Sequence, residues 1–254
     1  MTCASTASTA FLVINLIALV VLTTFSWVLY SECNNFVDNR FIAGITPPDW
    51  TLITGWLSVQ SMQLLWHIYY IYRLIVSDDQ SPELLPPTWT ALLLFSTSCN
   101  IVWLFMIHKL YIDEALWFIA TSTIILLIIT IRSHGVHVWK HTLLRNALML
   151  DTVWLMMATA MTVGVAVKHV DGDEKFLTFV VLWGFTGAHG LYAIIDILFL
   201  NRKYTKCSFT SYLIIILYSC VLVVEQPNLS AIVLLSTTLG FLTCKIILCA
   251  CTLL

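Results

Sequence analysis

Inside long apolar stretches the sequence keeps residues that lipid does not favour. Ser98-Cys99-Asn100-Ile101-Val102-Trp103 places an amide and an indole three positions apart, so on a helix both project to one side. Leu150-Asp151-Thr152-Val153-Trp154 is followed by Ala158 on the same face as Trp154. Farther along, His189 and Asp196 stand seven apart, hence on similar helical faces, and could pass a proton between them in a transporter. An ionisable group inside a span is a functional candidate by default, which makes Asp151, His189 and Asp196 candidates for ion coupling. Each has a plainer reading. Asn100 would make an interhelical hydrogen bond, Asp151 would sit among headgroups at a helix end, and Asp196, close to Arg202, would reach the surface, as would Lys245.

Other groups point to weaker chemistry. His134, His137 and His141 would share one helical face and could ligate a metal. No cysteine completes a structural metal pattern there, and Arg132, Lys140 and Arg145 make the segment electropositive, so a basic membrane face is preferred. Trp66, Tyr69, Tyr70 and Tyr72 read as an aromatic belt at headgroup level. Gly184, Gly187 and Gly190 read as close helix contact. Cys244, Cys249 and Cys251 gather where the last helix reaches the surface, and either palmitoylation or small-residue packing accounts for them. No nucleophile with its base, no glycine-rich phosphate loop and no firm metal set is visible, so an enzyme is not expected.

The elements that must position these residues follow from composition. Of 254 residues 59% are hydrophobic and 10% charged, against about 25% charged in a soluble domain. Apolar stretches recur that are long enough to cross the ~30 Å hydrocarbon core, and in lipid only helices or closed barrels satisfy the backbone. Helical lengths without alternation predict an all-α integral membrane protein with about eight transmembrane helices, at roughly 10–30, 50–72, 87–108, 114–131, 143–167, 176–200, 208–224 and 229–250. The stretch at 208–224 is the weakest, since Ser208 to Tyr212 is polar. The first run, after an uncharged start, lacks a cleavage site and is read as a retained helix.

Basic residues orient the spans. Arg73, Arg132, Lys140, Arg145, Arg202, Lys203 and Lys206 fall on one side and only Arg40, Lys109, Lys168 and Lys175 on the other, so both termini are expected in the cytoplasm. Asn228-Leu229-Ser230 then faces outward, but too near a helix to be a favourable glycosylation site. A net charge of −2 without a basic arm argues against nucleic acid as a partner, and the eight cysteines form no CxxC pair or disulfide framework.

One more segment bears on function. Ile45-Thr46-Pro47-Pro48-Asp49-Trp50 stiffens the approach to the second helix, Asp49 can cap it, and Trp56 follows six positions after Trp50. Taken in order, Pro47, Pro48, Trp50 and Trp56, then Asn100 and Trp103, then Trp154 and Ala158 resemble the motifs of the tryptophan-rich sensory protein/translocator protein family (TspO/MBR). The resemblance covers about residues 10–167. It departs from the family pattern at Met161-Thr162, where Leu-Asn is usual, at Met149 to Asp151 in place of Pro-Tyr, and at Gln60 in place of Tyr.

The resemblance implies a TspO-like five-helix membrane bundle over 1–167; it leaves 168–254 as a three-helix membrane extension that compact family members lack, and the whole could form a homodimer in the bilayer. It further implies an aromatic pocket, capped by the first connector, that binds, senses or moves a flat hydrophobic small molecule such as a tetrapyrrole or a sterol. Tryptophan faces would stack on its rings while Asn100 oriented a polar substituent. The alternatives are an ion-coupled secondary transporter using Asp151, His189 and Asp196, and a receptor-like or scaffolding protein with no pocket.

Overall fold

The computed structural model describes residues 3–32, 49–76, 86–133, 142–170, 174–197, 210–225 and 229–251. These form eight helices and no strand: α1 (Cys3–Glu32), α2 (Asp49–Val76), α3 (Pro87–His108), α4 (Ile112–Ser133), α5 (Thr142–Val170), α6 (Glu174–Ile195), α7 (Thr210–Glu225) and α8 (Leu229–Cys251). Within α1, α3, α4, α5 and α8 lie stretches long and apolar enough to cross a membrane. Those of α6 and α7 are apolar but shorter.

Burial explains why these helices read as uniformly apolar. On α1, Leu12, Asn15, Leu19 and Leu22 turn inward at helical spacing, while Val13, Ile14, Ile17, Val20 and Val21 are exposed. On α4, Ile119, Ser122, Leu126 and Thr130 are buried whereas Trp117, Ile124 and Ile128 face outward. The inner stripe therefore holds the polar residues and the outer stripe is apolar, the reverse of a helix on a water-soluble domain. A surface of this kind suits lipid as its solvent, in keeping with a membrane protein.

Interhelical hydroxyl pairs fix the registers. Thr130 meets Thr152 across α4 and α5 with the hydroxyl oxygens 2.8 Å apart. Seven residues back on α4 and seven forward on α5, Thr123 meets Thr159 at the same 2.8 Å. This is the signature of an antiparallel pair in constant register. Ser96 and Ser122 pair likewise across α3 and α4, with their hydroxyls at 2.7 Å. In a membrane such contacts contribute about 0.6 kcal/mol each, so they set register more than total stability.

Between α3 and α4 only Lys109, Leu110 and Tyr111 intervene. The Tyr111 N–H donates to the Met106 carbonyl at 2.9 Å and the Leu110 N–H to that of Ile107 at 3.1 Å, closing the end of α3 in a Schellman-type turn. Its left-handed position, usually glycine, is taken by Leu110 at φ 64°.

At the centre, α5 packs against α2, α4, α6 and α7, while α8 is reached through α6 and α7. Its run Ala147, Leu148, Met149, Leu150 is buried on every side, as expected of a helix with neighbours all round.

Candidate functional site

Trp56, Trp103 and Trp154 are brought into or against the core, and they are used in packing. Trp56 on α2 and Trp154 on α5 lie with ring centroids 5.9 Å apart and planes at 50°. Gly55 makes this approach feasible, because a Cβ there would overlap the Trp154 ring. Two turns along α5, the buried Trp103 indole of α3 donates to the Thr162 hydroxyl at 3.2 Å. Thr162 in turn donates to the Ala158 carbonyl, so Trp154, Ala158 and Thr162 line one stripe of α5. Asn100 is buried, but its Oδ1 has no hydrogen-bond partner among the described residues, and the same holds for the Trp56 Nε1. Pro47, Pro48, His134, His137 and His141 lie outside the described residues, and of Trp50 only its place in α2 is described.

A hydrogen-bond network runs through this region. The Gln63 side-chain amide donates to Asp151 at 2.9 Å and to the Ala147 carbonyl at 3.3 Å, while its Oε1 accepts from Trp66 at 2.5 Å. One turn on, His67 Nδ1 lies 2.7 Å from the Gln63 main-chain carbonyl and so must carry the proton. Nε2 is then the acceptor, and the Asn15 amide donates to it at 2.8 Å. Asn15 Oδ1 accepts from the Thr97 hydroxyl at 2.9 Å. The chain of bonds links α5, α2, α1 and α3. Asp151, expected among headgroups, is thus half-buried and held by Gln63. Sequence spacing could not reveal this set, since Asn15, Gln63 and His67 were unremarkable singly.

The expected aromatic belt divides by helical face. Trp66 and Tyr70 are buried, with their rings edge to face at 6.2 Å, whereas Tyr69 and Tyr72 are exposed. Arg145, read as part of a solvated basic face, is buried instead.

The larger correction concerns α6, α7 and α8. Asp196 and Lys245 do not reach the surface: both side chains are 0% exposed and the Lys245 ammonium bonds to Asp196 Oδ2. They come together because Asp196 follows the C-terminal end of α6, in a wider π-type turn through Ile197, and Lys245 lies in the last turns of α8. From the first turn of α7, the Tyr212 hydroxyl donates to the same Oδ2 at 2.9 Å. The ring of Tyr212 also lies beneath the Lys245 Nζ, 5.3 Å from centroid to nitrogen.

His189, buried, meets Tyr212 at 5.8 Å, Phe241 at 6.4 Å and Phe185 at 6.5 Å between ring centroids. One turn before Asp196, the Tyr192 hydroxyl lies next to Ser211 and within electrostatic reach of Asp196. Asp196 Oδ1 and both His189 ring nitrogens are buried without hydrogen-bond partners among the described residues, and the Tyr192 and Ser211 hydroxyls have none there beyond each other.

His189 and Asp196 therefore share one cluster, with Tyr212 between them, while Asp151 is bonded into a different set of helices. The glycines of α6 contribute little to packing, since Gly184 and Gly187 face open space and only Gly190 touches another helix, at Phe241. Among the described residues no group of three or more His, Cys, Asp and Glu could hold a metal ion. Sequence reading had Lys245 but no reason to pair it with Asp196, 49 positions away. Its signal was a lone cation in an apolar run near a helix end, opposite a lone anion in the same position two helices earlier. In the comparisons with known proteins, no family model, no curated protein and no solved structure matches this chain.

Proposed function

We propose that this chain is a membrane carrier that crosses the bilayer eight times and couples an ion to the movement of a solute at the charged centre of α6, α7 and α8. The observation behind this reading is the Asp196–Lys245 pair, fully buried yet incompletely satisfied. A charge pair kept only for stability would be expected to saturate both carboxylate oxygens, because each buried lone pair without a donor is costly. Here Oδ1 and the neighbouring imidazole retain unused hydrogen-bonding capacity at one place. That is what a group which loads and unloads a proton needs.

Eight crossings accord with several features. α2 has 28 residues, about 42 Å of helix, and its lower hydropathy comes from the inward Gln60, Gln63 and His67, while Leu57, Leu65 and Ile68 face out. The end of α6, the start of α7 and the end of α8 meet at Asp196, Tyr212 and Lys245, and the Thr210 hydroxyl donates to Asn146 near the start of α5 at 3.0 Å. Consecutive helices running up and down would gather these four ends on one side. By the distribution of Lys and Arg that side is cytoplasmic, as are both termini.

The test is proton movement in proteoliposomes carrying an internal pH-sensitive dye, with the membrane potential clamped. Wild type should dissipate an imposed pH gradient faster than empty vesicles, and the doubly neutral Asp196→Asn/Lys245→Gln variant should not. Equal rates in the two proteins would end the reading.

A second reading keeps the tetrapyrrole- or sterol-like ligand of the TspO resemblance. It is favoured by one observation, the partnerless Trp56 Nε1 and Asn100 Oδ1 in the region of the ordered tryptophans. Quenching of tryptophan fluorescence by a porphyrin or a fluorescent sterol at micromolar concentration, lost in Trp56→Phe with Asn100→Leu, would support it. No quenching would remove it.

A further inference from the structure

The acceptors left over around Asp196 match one ligand chemistry. Asp196 Oδ1, the Tyr192 hydroxyl and the Ser211 hydroxyl are three buried oxygens at the end of α6 and the start of α7; Oδ1 has no partner among the described residues, and the two hydroxyls, side by side, have none beyond each other and keep lone pairs to accept with. A primary ammonium group presents three N–H donors around one positive charge. The protein already holds such a group at the neighbouring oxygen: the Lys245 ammonium sits on Oδ2 and over the Tyr212 ring. A metal ion is a poorer match, since hard cations take six or more oxygens and the described residues include no cluster of metal-ligating side chains.

We infer that Asp196 Oδ1, Tyr192 and Ser211 form a binding site for a small primary ammonium cation, with Lys245 as the tethered ammonium that competes for the same carboxylate. This rests on reading α6 to α8 as an ion-coupling centre and names the solute it takes. One carboxylate cannot neutralise two ammonium groups in a low-dielectric interior. When the ligand binds, an N–H bond of Lys245 breaks, the electron pair stays on Nζ, and the proton leaves to the buffer. The centre begins as Asp⁻ with Lys⁺ and ends as Asp⁻ with ligand⁺ and neutral lysine, so its net charge does not change.

The titratable and charged groups on the elements packed around it are Arg145 and Asp151 on α5, His189 and Tyr192 on α6, and Tyr212 and Tyr218 on α7. Arg145 does not give up its proton, and Asp151 is engaged by Gln63. His189, in ring contact with Tyr212, is the other group beside the carboxylate that can exchange a proton.

The experiment is calorimetric titration of the purified full chain with methylammonium chloride, in two buffers of different ionisation enthalpy and at several pH values. Sodium chloride, potassium chloride and sodium acetate serve at equal ionic strength. Expected are saturable binding of methylammonium alone, release of close to one proton per ligand, and an affinity that rises about tenfold per pH unit while lysine is the protonated competitor.

Lys245→Gln should bind without releasing a proton and with little pH dependence, whereas release that persists in it would assign the proton to another group and overturn the role of Lys245. Ser211→Ala should bind about threefold to tenfold more weakly. Asp196→Asn/Lys245→Gln, checked for a melting temperature near that of wild type, should not bind.

Failure of methylammonium to bind wild type, equal binding of sodium or potassium, or binding without proton release would each overturn the inference. The two proposals fail separately. Proton flux without methylammonium binding leaves the carrier reading standing, and binding without flux leaves an ammonium site in a protein that is not a carrier.

Discussion

The first five helices and the last three solve the problem of buried polarity in opposite ways. Between α1, α2, α3 and α5 most polar groups are uncharged and spent on one another, as in the run from Asp151 through Gln63 and His67 to Asn15 and Thr97. Around Asp196 a buried ion pair sits among a few hydroxyls and an imidazole, and several lone pairs are left over. A saturated network fixes one arrangement of its helices, because every alternative loses bonds. An unsaturated centre has reason to take something in. On the carrier reading proposed above, the contrast separates a scaffold from a working part.

The sharpest way to break that contrast is to take one charge from the centre. Lys245→Met or Asp196→Asn strands the other charge in the interior and should cost about 3–5 kcal/mol, read as loss of denaturation midpoint in detergent. Combining neutral residues at both positions should restore most of the loss. If the single variants are as stable as wild type, the pair is not buried as described.

A smaller effect is expected in the scaffold. Asn15→Leu leaves the buried His67 Nε2 without its donor, while the Thr97 hydroxyl keeps the Leu93 carbonyl, and should cost about 1–3 kcal/mol by the same measurement, with no change in proton flux. A selective loss of flux there would blur the division between the two regions.

Gly55→Ala tests whether the tryptophans are packing elements. Its methyl must displace the Trp154 ring, at about 1–3 kcal/mol, and Trp154→Leu in the same chain should relieve it. A neutral Gly55→Ala would mean that the ring has room to move, as a ligand-binding aromatic should. The smallest change is Thr152→Val, which removes one of the α4–α5 hydroxyl contacts and should cost about 0.6 kcal/mol. Its role in register would show in a double-mutant cycle with Thr130→Val.

Hydropathy alone makes the eight helices legible, five of them with stretches long and apolar enough to cross a membrane, since in lipid the backbone must satisfy itself. Which residues face inward is less legible. In α1 both faces are apolar, and Asn15 is the lone mark of the inner one. His189 and Asp196 stood out because they are costly in a span, and they lie in one cluster. Lys245 stood out too, but a lysine near a helix end has two outcomes, surface or partner, and only the fold decides between them. The hydrogen-bond network was invisible because its bonds join residues 52, 82 and 88 positions apart on four helices. Spacing along one helix carries no information about such a meeting.

The short Lys109-Leu110-Tyr111 connection also constrains how the chain is threaded into a bilayer. Three residues reach about 10 Å at most, a third of the hydrocarbon thickness. The end of α3 and the start of α4 must therefore stay on the same face, so the two helices insert as a hairpin or not at all. Changing the charge of Lys109 could invert that hairpin as a unit, but it could never leave α3 across the membrane and α4 behind.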